Sequence, residues 1–142
     1  MGYTHYWIQR KPMDDDAFKA AVVDCGKILD RLKGKIPLTS DTTDTGAPVL
    51  SDSLIEFNGV GEDGHETFAF KLPLGSFSFC KTAQKPYDLA VTGCLVVLKH
   101  HLGDSIEVSS DGDEEDDWDT GKALVQHTLG YGLNETVLGV DP

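Results

Sequence analysis

The chain has 142 residues, of which 39% are hydrophobic and 25% charged, and this composition is typical of a single soluble globular domain. It carries 12 basic and 24 acidic residues, and the resulting net charge of -12 argues against binding long DNA or RNA. The sequence shows neither a signal peptide nor an apolar run of about 20 residues, so we expect a cytoplasmic protein without a membrane segment.

The first part of the chain predicts a strand, a helix and a polar loop. Residues 3–10 are rich in aromatics and place bulky side chains on both faces of a strand, which favours a central position in a sheet. Asp14 is the expected N-cap of a helix that has apolar residues at helical spacing and ends at Gly34. Residues 39–53 are polar and predict a mobile surface loop.

The later part predicts four strands and two helices. Residues 54–60 and 67–72 have the pattern of a hairpin, and short strands are expected at 77–80 and 105–110. The helix that follows the strand at 77–80 is apolar on almost every side, so we expect it to be buried against the sheet. A last helix is expected to begin at an N-cap directly after the final strand.

This order, β-α-β-β-β-α-β-α, predicts an α+β domain in which two or three helices pack on one mostly antiparallel sheet. We expect residues 1–142 to form a single domain. Residues 131–142 are glycine-rich with one apolar patch, and they predict either a short strand or a C-terminal arm. If that arm packs on a neighbouring chain, the protein is a homo-oligomer.

The stretch FSFCKTAQKPYD (77–88) is the candidate ligand site, because it carries two lysines in an acidic protein. Backbone N–H groups at a helix N-terminus attract anions, and Lys81 and Lys85 would strengthen that attraction. Thr82 can donate a hydrogen bond, and Tyr87 can stack on a base. The alternative is a strand–helix connection whose lysines are solvated or paired with acids. No Walker phosphate-binding loop is present.

Polar and aromatic side chains elsewhere can complete a nucleotide-like site. Asn58, Glu66 and Asp111 can hydrogen-bond the hydroxyls of a sugar, and aromatic rings near the N-terminus can stack on a base. No cofactor is predicted. The candidate ligand-binding residues are His5, Tyr6, Trp7, Asn58, His65, Glu66, Lys81, Thr82, Lys85, Tyr87 and Asp111.

The three cysteines form no CxxC pair and are expected to be reduced thiols. Cys25 lies on the apolar stripe of the first helix and is expected to be a packing residue. Cys80 precedes Lys81 near a helix start, where a thiolate nucleophile is favoured, and a histidine could serve as its base. The alternative for Cys80 is a buried position at the end of a strand.

The histidines and the acidic run raise the question of a metal. A site assembled from His5, His65 and His101 is one interpretation, although no HExxH or paired Cys/His spacing is present. The other interpretation of His5 is a hydrogen-bonded core residue. The run 109–119 resembles a calcium loop but lacks its glycine and its last acid, so we interpret it as an N-cap and an acid-rich first helical turn.

Several blocks of the sequence resemble a family of small, uncharacterised phage, prophage and bacterial proteins. The resemblance covers most of the chain. It implies an intracellular protein, located in a bacterial host if the protein is viral. It does not indicate which activity the protein has. The blocks are GYTHYW (2–7), FNG (57–59), HETF (65–68), FCKTAQKPYD (79–88), KHHLGD (99–104) and VSSDG (108–112).

The leading functional hypothesis is a non-enzymatic binding protein for a small, anionic, nucleotide-like ligand. In the context that the resemblance implies, it would sequester a host immune signalling nucleotide. One alternative is a small enzyme that acts on a nucleotide or sugar through Cys80 or a histidine–glutamate pair. Another is an acidic protein–protein inhibitor that mimics nucleic acid, for which the run 111–119 would matter and the lysines would not.

Overall fold

The computed structural model describes residues 3–40, 46–74 and 77–139. These residues form seven strands and three helices. The strands are β1 (Thr4–Gln9), β2 (Leu38–Thr39), β3 (Val49–Leu50), β4 (Leu54–Gly59), β5 (Phe68–Lys71), β6 (Ser78–Lys81) and β7 (Ile106–Ser110). The helices are α1 (Asp15–Leu32), α2 (Asp88–Leu102) and α3 (Asp119–Leu129). The predicted α+β class is therefore confirmed.

The strands divide between two antiparallel sheets, where the sequence suggested one. In the three-stranded sheet, β1 is central and pairs with β6 on one side and β7 on the other, as its aromatic pattern predicted. His5 lies opposite Cys80 on β6 and opposite Ser110 on β7. The central strand thus brings three segments that are remote in sequence to the same end of the sheet.

The other sheet is built around β4. The predicted hairpin is confirmed, since β5 pairs antiparallel with β4 and Phe57 lies opposite Phe68. The two-residue strands β2 and β3 pair with successive parts of β4. They lie at the two ends of the stretch predicted as a mobile loop, and residues 41–45 of that stretch lie outside the described residues.

Helix α2 is the centre of the core. All residues from Ala90 to Leu98 are buried, and the helix packs against α1, α3 and β7. This burial explains why α2 is apolar on almost every side.

Cys25 of α1 lies against α2, with its Sγ 3.8 Å from the Cys94 carbonyl oxygen. Burial raises the pKa of the Cys25 thiol well above its ordinary value, so Cys25 is a packing residue as predicted.

The prediction for the start of the last helix is wrong. Helix α3 begins at Asp119 rather than just after Ser110 or Asp111. Side-chain carboxylates in between accept backbone N–H groups, from Glu115 to Asp113 at 2.9 Å and from Asp113 to Asp117 at 2.6 Å. Because these side chains offer the backbone other partners, turns form where the acid-rich first helical turn was expected.

The described part of the C-terminal arm packs on its own chain. Leu138 forms a parallel bridge with Val108, and Val137 is buried. The Glu114 carboxylate accepts the N–H groups of Val137 at 3.1 Å and Leu138 at 2.8 Å. One residue of the acidic run, Glu114, therefore fixes Val137 and Leu138 next to β7.

Glu114 also pairs with the largely buried Lys122, whose Nζ lies 2.5 Å from Oε2. Burial would raise the pKa of the Glu114 carboxyl, but the hydrogen bonds from Lys122 and from two backbone amides outweigh it and lower that pKa. A carboxyl whose pKa is lowered by folding stabilises the folded state above its unfolded pKa of about 4.3. That contribution is lost as the pH falls through the folded-state pKa.

We expect Glu114→Gln to remove part of the acid sensitivity of the fold. The free energy of unfolding in urea, measured at about pH 6 and about pH 3, should fall by less in the variant than in the unaltered protein. Glu115→Gln, at an exposed neighbour, is the matched control and should behave like the unaltered protein. Equal pH dependence in all three proteins would contradict the assignment.

The close approach of α3 to α2 depends on Gly121. A Cβ atom at this position would lie 2.5 Å from Thr92 Oγ1 and 3.0 Å from Thr92 Cβ. We expect Gly121→Ala to lower the free energy of unfolding by about 1–3 kcal/mol, although alanine has the higher helix propensity. Thr120→Ala, at an exposed position of the same helix, is the control and should change it by about 0.5 kcal/mol or less. Urea unfolding measures both, and equal effects would contradict the packing argument.

Candidate functional site

A chain of hydrogen bonds runs through the buried imidazole of His5. Its Nε2 lies 2.6 Å from Asp88 Oδ1, and its Nδ1 lies 2.8 Å from Ser110 Oγ. The Thr82 hydroxyl donates to the same Asp88 oxygen at 2.6 Å, and the Gly112 N–H donates to Ser110 Oγ at 2.8 Å. We call these five residues the His5 chain.

The two ends of the His5 chain determine the direction of its bonds. An ionised Asp88 carboxylate only accepts, so the His5 Nε2 carries a proton and donates to it. In the neutral imidazole the Nδ1 is then an acceptor, and the Ser110 hydroxyl donates to it. The Gly112 N–H only donates and uses a remaining lone pair of Ser110 Oγ. Every polar group of the chain is satisfied in this arrangement.

Backbone geometry between β6 and α2 presents the Asp88 carboxylate to His5. The N–H groups of Thr82 and Ala83 both donate to the Tyr3 carbonyl, at 3.0 and 3.2 Å. Ala83 and Gln84 then adopt positive φ angles of 53° and 57°, which non-glycine residues rarely do. This tight turn makes Asp88 the first residue of α2, where the helix dipole favours a carboxylate.

Two aromatic rings enclose the imidazole. Tyr3 and Trp118 meet it edge to face, with ring centroids 5.2 and 5.0 Å from that of His5. Burial is the main cause that raises the pKa of the Tyr3 hydroxyl to about 12. Nearby carboxylates add to the rise, and a side-chain hydrogen bond with Ser110 opposes it. The Tyr3 hydroxyl also occupies the space that a Cβ atom would take at Gly112, so only glycine fits there.

The predicted phosphate site at the start of α2 is filled by the protein itself. The Asp88 carboxylate lies at the helix N-terminus, where an anionic ligand was expected to bind. The Thr82 hydroxyl donates to Asp88 and is fully buried, so it is not available to a ligand. Lys81 and Lys85 are half-buried, and within the described residues neither is within ion-pair distance of a carboxylate.

Three further candidates, Asn58, Tyr87 and Glu66, have structural roles. The buried Asn58 side chain donates to the His65 carbonyl at 3.0 Å and accepts the His65 N–H at 3.1 Å, which closes the loop between β4 and β5. The buried Tyr87 hydroxyl donates to the Glu66 carbonyl. Burial raises the pKa of Tyr87 above its ordinary value, and the ring is not exposed for stacking. Glu66 also anchors the loop, since its Oε1 accepts the Lys81 N–H at 2.7 Å.

Cys80 is buried and is not a thiolate at neutral pH. Burial is the main cause that raises the pKa of its thiol to about 12, and the negative charges of Glu66 and Asp88 add to the effect. A hydrogen bond with Tyr87 opposes the shift without cancelling it. The structure therefore favours the buried alternative for Cys80 over the nucleophile.

Trp7 and Tyr6 lie on opposite faces of β1. Trp7 is in the core, where its ring packs against Phe68 and Phe70, so it is not exposed to a ligand. Tyr6 is half-buried on the other face, and its hydroxyl donates to Asp111 Oδ1 at 3.3 Å.

An aromatic surface surrounds Tyr6 on this outer side of the three-stranded sheet. Phe79 lies directly opposite Tyr6 on β6, and Phe77 meets the Tyr6 ring with centroids 5.7 Å apart. The two phenylalanine residues are 58% (Phe77) and 55% (Phe79) exposed. Lys81 is on the same face because it follows Phe79 by two positions on the strand. We call Tyr6, Phe77, Phe79 and Lys81 the aromatic face.

The histidines do not converge on a metal. His5 meets the first residue of α2, whereas His101 is near its other end, and 13 residues of helix at about 1.5 Å each separate them by about 20 Å. His101 Nε2 is instead 2.8 Å from Asp24 Oδ2, and His65 is on an exposed loop. Among the described residues, no group of three or more metal-binding side chains is placed to hold an ion.

Comparison with protein-family models, with curated proteins and with solved structures found no match. The resemblance to a phage-associated family therefore stays a prediction. Among residues 3–40, 46–74 and 77–139, no helix has the length and apolar character needed to cross a membrane.

Four residues whose side chains belong to the His5 chain or the aromatic face were not among the predicted site residues. Asp88 and Ser110 were treated only as flanking or capping residues, and their contact with His5 depends on strand pairing that no local pattern reveals. Phe77 and Phe79 could have been found, because alternation in FSFC places them opposite the buried Cys80. The blocks GYTHYW, FCKTAQKPYD and VSSDG, which carried the resemblance, supply all five residues of the His5 chain.

We expect Asp88→Ala to lower the free energy of unfolding by about 3 kcal/mol, because it leaves two buried donors, on His5 and Thr82, without their acceptor. The matched control is Asp104→Ala, because the Asp104 side chain is 89% exposed. This substitution should change the free energy of unfolding by about 0.5 kcal/mol or less. Urea unfolding followed by tryptophan fluorescence measures both. A loss at Asp88 no larger than that at Asp104 would show that the His5 chain does not stabilise the fold.

Proposed function

We propose that the protein binds a small, planar, anionic ligand of nucleotide-like chemistry on the aromatic face and releases it unchanged. The observation that carries this proposal is the exposure of two neighbouring phenylalanine rings, Phe77 and Phe79, beside Tyr6. Large exposed apolar side chains that lie together mark a binding surface more often than chance placement. The proposal keeps the ligand class that the sequence suggested and moves its site from the turn before α2 to the sheet.

Aromatic rings on a sheet suit a flat base. Stacking of a base on an aromatic side chain contributes about 1–3 kcal/mol and does not require a particular base. Tyr6 and Phe79 are cross-strand partners, and the Phe77 ring connects them, with its centroid 5.7 Å from that of Tyr6 and 6.2 Å from that of Phe79.

Charged groups around the rings suit the rest of a nucleotide. Lys81 is the cation on the aromatic face and can neutralise a phosphate. Asp111 and Glu66 border this surface, since they accept hydrogen bonds from the Tyr6 hydroxyl and the Lys81 N–H, and carboxylates also accept hydrogen bonds from ribose hydroxyls. A single lysine among many acids favours a small ligand of low charge over a long polyanion, in keeping with the net charge of -12.

The sharpest version of the proposal follows from the predicted phage context. In that version, the protein sequesters a signalling nucleotide of the host and so lowers its free concentration. Sequestration needs affinity and abundance but no turnover. The buried Cys80, with its raised pKa, supports binding over the alternative of cysteine-based catalysis.

Isothermal titration calorimetry with ADP-ribose and with cyclic nucleotides tests the proposal. We expect at least one of these ligands to bind and to be recovered intact by chromatography. Phe79→Ala and Lys81→Ala should each weaken binding by about tenfold or more, because each removes about 1.4 kcal/mol or more of stacking or charge interaction. Lys71→Ala, at an exposed lysine on β5, is the matched control and should bind as the unaltered protein does.

Three results would contradict the proposal. The first is that none of these ligands binds, and the second is that the bound ligand is consumed. The third is that Phe77→Ser and Phe79→Ser change the mass of the particle in sedimentation without changing ligand binding. That result would assign the aromatic face to contact between copies of the chain.

A further inference from the structure

The His5 chain contains a hydroxyl, an imidazole and a carboxylate in the order used to activate a nucleophile. Ser110 Oγ is 2.8 Å from His5 Nδ1, and His5 Nε2 is 2.6 Å from Asp88 Oδ1. A nucleophile within about 2.6–3.2 Å of a base that a third group orients is the general signature of covalent catalysis. We propose that Ser110 is a nucleophile that accepts an acyl group from carboxylic esters, with His5 as its base.

The surroundings of His5 suit a base. Asp88 holds the proton on Nε2, so the lone pair of Nδ1 points at Ser110. When Nδ1 takes the serine proton, the charge that forms on the imidazole lies next to the Asp88 carboxylate in a buried site, where their attraction is stronger than in water. Thr82 also donates to Asp88 and keeps the carboxylate in place, so Asp88 and Thr82 are positioning residues.

Ser110 is the link between this buried base and the surface. It is the last residue of β7 and is half-buried, whereas Asp111 after it is exposed. The Gly112 N–H is already 2.8 Å from Ser110 Oγ, so a backbone donor stands beside the reacting oxygen. This hydrogen bond holds the Ser110 hydroxyl in place beside His5 Nδ1.

The charges near Ser110 select the class of ester. Asp111 and Asp117 lie close enough to raise the pKa of the neighbouring Tyr3, and the adjoining turn carries further acids. This negative field repels phosphorylated and other anionic substrates. The substrate is therefore a neutral or cationic ester. The site is separate from the aromatic face, because Ser110 and His5 point to the inner side of the sheet.

The step is an ordinary acyl transfer. The Ser110 hydroxyl oxygen attacks the ester carbonyl carbon, its proton moves to His5 Nδ1, and the oxyanion collapses as the bond to the alcohol oxygen breaks. The leaving alkoxide takes its proton from a solvent water molecule, the serine proton stays on His5 beside the Asp88 carboxylate, and the acyl group stays on Ser110. Because the imidazole is fully buried, a water molecule at the acyl carbon has no access to Nδ1. Hydrolysis of the acyl-serine is therefore slow, and this form of the protein accumulates.

Reaction with p-nitrophenyl acetate tests the proposal. We expect a burst of p-nitrophenolate that is stoichiometric with protein, together with one added acetyl group in the intact mass. Peptide mapping of the unaltered protein should place this acetyl ester on Ser110. The mapping decides the question even where a variant fails to fold, and acetylation confined to lysines would overturn the proposal.

Variants provide the matched comparison. Ser110→Ala should abolish the burst, whereas Ser109→Ala, on the opposite face of the same strand, should retain it. Ser110→Cys keeps a nucleophile at the position and should be acetylated as a thioester. Asp88→Asn keeps an acceptor for His5 and removes the negative charge. It should slow the burst about tenfold or more, while the melting temperature should stay close to that of the unaltered protein. A burst of unchanged size in Ser110→Ala, or of unchanged rate in Asp88→Asn, would overturn the proposal.

Discussion

The hydrogen bond between Asp88 and His5 is the contact on which the arrangement of this protein depends. It joins the first residue of the most buried helix to the central strand of the three-stranded sheet. From it, the bonds of Thr82 and Ser110 reach the ends of the two flanking strands. A buried imidazole such as that of His5 is stable only when its polar atoms have partners, so each of these segments constrains the position of the others.

The two faces of the three-stranded sheet carry different chemical groups. On the inner side, the Asp88 carboxylate occupies the helix N-terminus that would otherwise attract an anionic ligand, and its charge instead supports the His5 imidazole. On the outer side, exposed aromatic rings stand beside a lysine whose backbone N–H is held by Glu66. The proposed binding of an anionic ligand and the proposed acylation of a serine therefore lie on opposite faces of one small sheet.

Local chemistry explains which parts of the candidate site could be predicted. The alternation of FSFC follows from strand geometry, and the interpretations of Cys80 and His5 as buried residues follow from their positions on predicted strands. The roles of Asn58 and Tyr87 could not be predicted, because each side chain bonds a backbone group in a loop whose path depends on the sheets. The wrong start of α3 has a local cause, since Asp113 and Asp117 compete for backbone N–H groups that a helix would otherwise use.

The sequence by itself determined the α+β class, the hairpin of β4 and β5, and the burial of α2. It also determined the cap of α1, where the Asp14 carboxylate accepts the Asp16 N–H at 3.2 Å. Each of these follows from hydrophobic periodicity or from interactions between residues that are close in the chain. Only the tertiary structure decided that the strands form two sheets and that His5 lies between Asp88 and Ser110. Those residues are 83 and 105 positions away from His5, and their contact depends on the register of three strands and the start of a helix. No periodicity within a single segment carries that information.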